Sequence, residues 1–303
     1  MIWAFVGSLD MSHRRNLARS FVGVLVGADV SLLLVACGGS DAPAASSSTS
    51  QNPATSQTSS TSEVPMDPRA QLTARLGDEL DDADAAARTV AGMDDAAVAG
   101  AERLADGDIA TSPWLSYRPT TAPAVDIDTL WVFSYGFRMA DPSLEAVPVG
   151  GSVPPMDALV PGPTNEALAR AARDFVAEHR VPIVAQWEVA RVLQDLGVDD
   201  VISVEPDVAA DGTVTYLSTV GVAEKGLAAL QAAGREPGHA GVLCFRDHAV
   251  RCELTMRSLG LTADVPSEIE LPAEYDPESG QLWTRKVETW IPIDLAGRAV
   301  LKG

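Results

Sequence analysis

From residue 126 onward, apolar side chains follow two alternating rhythms: short unbroken runs, and stripes at helical spacing between them. Leu130, Trp131, Val132 and Phe133 form the centre of a strand predicted over 126–135. They are apolar on both faces, as in a strand buried inside a parallel sheet. Further runs predict strands over 181–185, 200–204, 242–245 and 262–265. Between them, Leu168, Ala172, Phe175 and Val176 mark the buried face of a helix over 165–179, with Thr164 as its N-cap. A second helix is predicted over 189–196, stopped by Gly197, and a third from a Ser218 or Thr219 cap to residue 233. Val250, Leu254, Met256 and Leu259 give a fourth stripe, stopped by Gly260. Asp211-Gly212 signals a turn ahead of a small extra strand over 213–217. The tail over 275–301 contains Trp283 and Trp290 and predicts one or two closing helices, with Pro292 as a break. Strands alternating with helices imply a mainly parallel sheet with helices on both faces, a Rossmann-like three-layer α/β sandwich.

Two segments depart from that rhythm. Residues 142–163 are rich in Pro and Gly; a loop beyond ~15 residues with no structure of its own is usually functional or mobile, which makes this one a candidate lid. Residues 66–125 are rich in Ala, Asp, Glu and Leu. Leu72, Leu76 and Leu80, then Ala83 and Ala87, give one helical stripe, and Val90, Met93, Val98 and Leu104 a second. The segment reads as an acidic helical collar packed on the α/β domain, 126–303, or as a partner-binding helix pair.

The first 36 residues read as a lipoprotein signal peptide. Arg14, Arg15 and Arg19 form a basic n-region, cleaner if translation starts at Met11 than at Met1, and an apolar stretch over 21–36 follows, interrupted by Asp29. It is short for a membrane-spanning helix, which needs about 20 residues. Leu34-Val35-Ala36-Cys37 resembles a lipobox, making Cys37 the expected lipidation site and the membrane the expected partner through that lipid. Residues 38–65 are dominated by Ser, Thr, Ala, Pro and Gln, too polar to offset their ordering entropy, so 37–65 reads as a lipidated cysteine and its tether. The expected location is the outer face of a bacterial cell membrane.

Charge narrows the partners. The chain has 22 Lys and Arg against 42 Asp and Glu, a formal net charge of −20. Loss of a leader holding three arginines and two aspartates makes the balance slightly more acidic. Nucleic-acid affinity is dominated by phosphate neutralisation, so nucleic acid is not an expected partner. Of the three cysteines, Cys244 and Cys252 remain beside Cys37, and an exported compartment permits either a disulfide between them or two buried thiols.

The chemistry-bearing stretch is 241–252. A strand over 242–245 breaks into Arg246-Asp247-His248 and then enters a helix carrying Arg251. In an open α/β sheet such turns lie at the carboxyl edge, where ligands bind. Arg138, Glu188, Glu205 with Thr219, and Asp247-His248 with Arg251 follow four strands and are candidates to converge there. Arg138 and Arg251 offer forks for a phosphate or carboxylate. His248 and Glu188 are the candidate catalytic groups, with Glu188 or Glu205 orienting His248. The plainer alternative has His248 capping its helix, Arg251 paired with an acidic neighbour, and Glu188 favoured by a helix dipole. No metal-ligand spacing, Gly-x-Ser-x-Gly or Gly-rich phosphate loop occurs, so no metal and no cofactor are expected.

The order of these parts resembles the YdcF/SanA/ElyC-like family of bacterial envelope proteins. The likeness rests on Gly136 ending a strand, Glu188 at a helix start, Glu205 ending a short strand, the Ser218-Thr219 cap, and His248-Ala-Val-Arg251. It spans residues 128–303. Ala185-Gln186-Trp187 replaces the family's Ser-Gly-Gly turn, and Val220-Gly221-Val222 stands where an Asn usually follows the capping Thr. The resemblance implies a role in cell-envelope or peptidoglycan biogenesis and a cleft for an anionic or nucleotide-like small molecule. The competing expectation is a non-catalytic surface lipoprotein serving as a protein-interaction scaffold.

Overall fold

Three short amphipathic helices open the described part of the chain: α1 (Pro68–Leu80), α2 (Ala83–Gly92) and α3 (Asp95–Leu104), then a single turn, α4 (Pro113–Ser116). The computed structural model describes residues 67–116 and 118–302, all within one compact unit, Ser59–Gly303. The leader, Cys37 and the tether lie outside the described residues. The two helical stripes of this segment resolve into three helices because aspartates interrupt them. Asp81 turns left-handed (φ 54) after α1, and the Asp82 and Asp94 side chains accept from Ala85 N and Ala97 N, capping α2 and α3. Leu72 and Leu76, one turn apart, are fully buried.

The α/β part adds, in chain order, β1 (Thr121–Ala122), β2 (Thr129–Val132), β3 (Arg138–Met139), β4 (Leu159–Val160), α5 (Pro163–His179), β5 (Ile183–Gln186), α6 (Trp187–Asp195) and β6 (Val201–Val204). It continues with β7 (Asp207–Val208), β8 (Val214–Thr215), α7 (Thr219–Ala232), β9 (His239–Leu243), α8 (Ala249–Ser258), β10 (Thr262–Pro266) and α9 (Val287–Lys302). Six strands form one sheet in the order β1-β10-β9-β2-β5-β6, all parallel. From central β2 the chain moves outward to β5 and β6, returns to β9 on the other side of β2, and moves outward to β10. That is a doubly wound Rossmann-like sandwich, with its reversal between β2 and β9. β1, at the edge beside β10, comes from ahead of residue 126.

The apolar runs divide their side chains between two layers. Leu130 and Val132 pack with Leu168, Ala172 and Phe175 of α5 and with Val189 and Leu193 of α6. Trp131 and Phe133 point the other way, towards Val222, Ala223 and Leu230 of α7 and Cys252 and Met256 of α8. Gly226 of α7 lets that helix approach closely: a Cβ there would stand 2.6 Å from Trp131 Cζ3 and 2.8 Å from Val184 Cγ1. A third cluster joins α1, α2 and α3 to Trp290, Ile291 and Leu295 of α9 and to Tyr135 and Phe245 at the carboxyl edge of the sheet.

Several local expectations are corrected. Gly162, not Thr164, is the N-cap of α5, because Pro163 fits the first helical position. Pro292 lies inside α9 and does not end it; burial of Trp290, Ile291 and Leu295 outweighs the lost backbone hydrogen bond. The loop over 142–163 has structure of its own. It contains a 3-10 turn (Met156–Ala158) and β4, and isolated bridges tie Val147 to Gln281 and Val153 to Val214. Among the described residues no helix is long and apolar enough to cross a membrane.

Candidate functional site

The switch in strand order sets the position of the site. Val132 of β2 is in register with Leu243 of β9 and Ala185 of β5, and Phe133 N donates to Leu243 O (3.0 Å). The segments leaving β2 and β9 therefore part side by side, opening a crevice. The turn after β2 is held by Asn165 of α5, fully buried, whose Oδ1 accepts from Tyr135 N (2.9 Å) and whose Nδ2 donates to Gly136 O (2.7 Å). Gly136 has φ +70, and a Cβ there would stand 2.6 Å from Ser279 Oγ and 2.7 Å from Thr284 Oγ1, so only glycine fits.

A cavity of about 230 Å³ occupies this crevice. Ser134, Tyr135 and Gly136 after β2, and Gln186 at the end of β5, form its floor. Tyr216 to Thr219 at the start of α7, and His248 and Arg251 at the start of α8, form its sides. Val149 and Gly150 of the long loop, with Gln281, Trp283, Trp290 and Ile293 of the tail, complete the wall.

His248 is buried at 5% exposure. Its Nε2 lies 3.5 Å from Thr219 Oγ1, and its Nδ1 has no partner. Burial, then the nearby Arg251 and Arg298 charges, push its pKa well below the usual range, so the ring is neutral. It makes no side-chain cap to α8. Arg251 lies with Nε 3.3 Å from Asp294 Oδ1, donates from Nη1 to Ile293 O (3.3 Å), and sits over the Trp290 ring at 4.7 Å. Asp294 and Arg298 of α9 pair at 2.7 Å, and Arg298 also reaches Glu79 of α1 (2.5 Å) and Trp114 O (3.2 Å). This buried chain of charges runs from the N-terminal helices to the cavity wall.

Glu188 is fully buried behind Tyr216. The Tyr216 hydroxyl donates to Glu188 Oε1, receives Gln186 Nε2 at 3.0 Å, and lies 3.3 Å from Ser134 Oγ. Glu188 Oε2 has no partner. Burial raises the Glu188 pKa to about 8, so the carboxyl holds its proton at neutral pH.

The structure thus gathers Thr219, His248 and Arg251 on one cavity, with Glu188 immediately behind its wall. It does not bring in the other candidates. Arg138 spends its fork on Asp276, Nε to Oδ2 and Nη2 to Oδ1, both 2.8 Å, with Glu278 at 3.0 Å from Nη2. Glu205 is exposed and accepts from Ser203 Oγ (2.6 Å). The Asp247 side chain turns to Arg246 (2.7 Å) and Tyr275 (2.7 Å), away from the cavity. Neither Glu188 nor Glu205 orients His248, whose ring has Thr219 as its one hydrogen-bond neighbour among the described residues. Sequence reasoning missed Tyr216, Asn165, Gln281 and Asp294. A Tyr beside a Ser/Thr cap was a usable signal for the first; Asn165 reaches Gly136 across 29 residues, and Asp294 reaches Arg251 from another element, where no spacing rule operates.

Cys244 and Cys252 are free thiols, both fully buried, in β9's extension and in α8. Burial and the adjoining Cys244 raise the Cys252 pKa well above the usual range, leaving an inert thiol. Among the described residues no group of three or more His, Cys, Asp or Glu is placed to hold a metal ion. Compared with family models, curated proteins and solved structures, the chain matches none.

Proposed function

We propose that this chain is an exported lipoprotein, anchored through Cys37, whose α/β domain binds a small molecule at the carboxyl edge of its sheet and serves cell-envelope or peptidoglycan biogenesis. The observation that supports binding is the cavity of about 230 Å³ at the β2/β9 switch point, walled by Thr219, His248 and Arg251. The envelope role rests on the resemblance to the YdcF/SanA/ElyC-like family and on the lipobox, and the expected ligand from that resemblance is anionic or nucleotide-like. A protein-interaction scaffold is the second reading. It is favoured by a larger opening, about 670 Å³, between α3 and α9, lined by Met93, Ala97, Ala101, Leu104 and Leu295.

Two measurements test the proposal. Cys37→Ser is expected to move the chain from the membrane to the soluble fraction and to abolish palmitate labelling; labelling that survives the change overturns the anchor. A thermal-shift screen with nucleotides, cell-wall precursors and small acids is run on wild type and on Thr219→Phe, which fills the cavity. A ligand at 100 times its Kd raises stability by about 2.7 kcal/mol. At least one class is expected to shift wild type and spare the filled variant. Equal shifts in both, or none in either, leave the scaffold reading in its place.

A further inference from the structure

We infer that the cavity takes a small oxyanion, a carboxylate or phosphate group, seated between the Arg251 guanidinium and the N-terminus of α7. This rests on the binding reading above and narrows it.

Arg251 is held from behind. Its Nε faces Asp294, its Nη1 donates to Ile293 O, and its plane lies over Trp290. Those contacts leave Nη2 without a hydrogen-bond partner among the described residues, on a side chain that lines the cavity. Gly297 of α9 permits this seat: a Cβ there would stand 2.5 Å from Arg251 Nη1 and 2.6 Å from Cδ. A guanidinium pinned in this way has already lost its rotamer freedom, so less is lost when a ligand arrives.

The start of α7, on the same cavity, supplies donors of a second kind. Ser218 caps the 14-residue helix α7, its Oγ accepting from Gly221 N at 3.1 Å. The N–H groups of Thr219 and Val220, in the first turn, then have no partner within the helix, and that end carries about half a positive charge. His248, 95% buried and with no partner for its Nδ1, lines the same cavity. Its Nε2, 3.5 Å from the Thr219 hydroxyl, faces the start of α7.

Two carboxyls lie nearby, and neither opposes an anion strongly. Asp294 lies between Arg251 and Arg298, the latter shared with Glu79, and Glu188, behind Tyr216, keeps its proton at neutral pH. Size sets the upper limit. Pockets for drug-sized ligands span about 300–1,000 Å³, and this one is about 230 Å³. It fits an acid of few heavy atoms, not a whole nucleotide.

The test titrates the full-length chain at fixed ionic strength with sodium phosphate, sodium acetate and acetamide, reading tryptophan fluorescence, since Trp283 and Trp290 line the cavity, and Tm. Acetamide has the shape of acetate without its charge. Phosphate or acetate is expected to give a saturable change and acetamide none, the stronger of the two naming the preferred group. Arg251→Gln is expected to weaken anion binding about tenfold or more. Thr219→Ala and Thr219→Pro separate hydroxyl from backbone. Ser218 is extended, ψ 165, so proline is tolerated after it at the first helical position and removes one N–H. Thr219→Pro is expected to bind about tenfold more weakly than Thr219→Ala, with circular dichroism unchanged. Equal affinity in the two Thr219 variants overturns the inference, whatever the stability of Arg251→Gln. So does acetamide binding as tightly as acetate, or no response to either anion. In those cases a positive ligand screen blocked by Thr219→Phe still upholds the binding reading, and a negative screen removes both.

Discussion

Glu188→Gln gives the sharpest test of how this site is held. The folded protein keeps the Glu188 proton up to about pH 8, against 4.5 for an unperturbed glutamate. Between those values the unfolded chain has released a proton that the folded chain retains, so the stability contributed by this group is full below 4.5 and falls as pH rises. Each unit of that window corresponds to ~1.4 kcal/mol, which makes the full effect of order 5 kcal/mol. His248 acts with the opposite sign. Its folded pKa is depressed below 6.5, so its term rises with pH and is complete above 6.5. In wild type the two slopes oppose each other in the acid range, and Glu188 stands alone between 6.5 and about 8. The variant-minus-wild-type difference removes the histidine altogether. Glutamine preserves an acceptor for the Tyr216 hydroxyl but leaves an N–H group where Oε2 has no partner. That costs a pH-independent offset of about 1–3 kcal/mol. Urea unfolding of both proteins across the neutral range is the assay. The variant is expected to gain on wild type by ~1.4 kcal/mol per pH unit up to about pH 8. Parallel curves for the two proteins would show that Glu188 is ionised in the fold and refute the reasoning.

Two further changes probe the packing that positions the site. Arg298→Met removes a cation that is 1% exposed, strands Glu79 and leaves Asp294 with Arg251 alone, so chemical denaturation should record a loss of about 3–5 kcal/mol. The deficit should shrink in acid, where these carboxyls take up protons; a pH-independent loss would contradict the pairing. Gly226→Ala should lower Tm even though alanine is the better helix former, because overpacking against Trp131 and Val184 costs about 1–3 kcal/mol against a propensity gain of about 1. Gly100→Ala in α3, where the nearest atom is Arg103 Nη2 at 3.7 Å, should raise Tm; the same sign at both glycines would show that contact distance is not what decides.

The central strands were legible because each is a run of apolar residues with no polar face, a pattern that only burial between two helical layers explains. Their parallel direction followed from alternation with helices, whereas the strand order is seen only in the structure. The edge strand β1 was not legible. Two residues, Thr121 and Ala122, carry no periodicity, and they join the sheet only through the register Thr121↔Val265. Aspartates split the N-terminal stripes for a reason that was present in the chain but weaker than the apolar spacing. At Asp82 and Asp94 a side-chain oxygen offers the backbone a partner, and a new helix starts there.

For the site, what could be read was position and what could not was partnership. His248 and Arg251 reach the cavity because they follow β9 at the switch point, and Thr219 reaches it because it opens α7, the crossover from β6 to β9. Arg138 also follows a strand, yet its fork is closed by Asp276, 138 residues away, a distance at which no spacing rule operates. Asp294 and Arg298 carry the i,i+4 spacing of an exposed helix pair and are in fact fully buried, because α9 packs against α2 and α3 as well as against α8. That burial changes what the N-terminal helices are for. They share a core with Tyr135 and Phe245 at the carboxyl edge, and Glu79 on α1 completes the charge chain that ends at Arg251. A boundary drawn at residue 126 therefore divides a single packed assembly. The acidic helices are part of the scaffold that holds Arg251 in place, and the geometry of the cavity depends on their being docked.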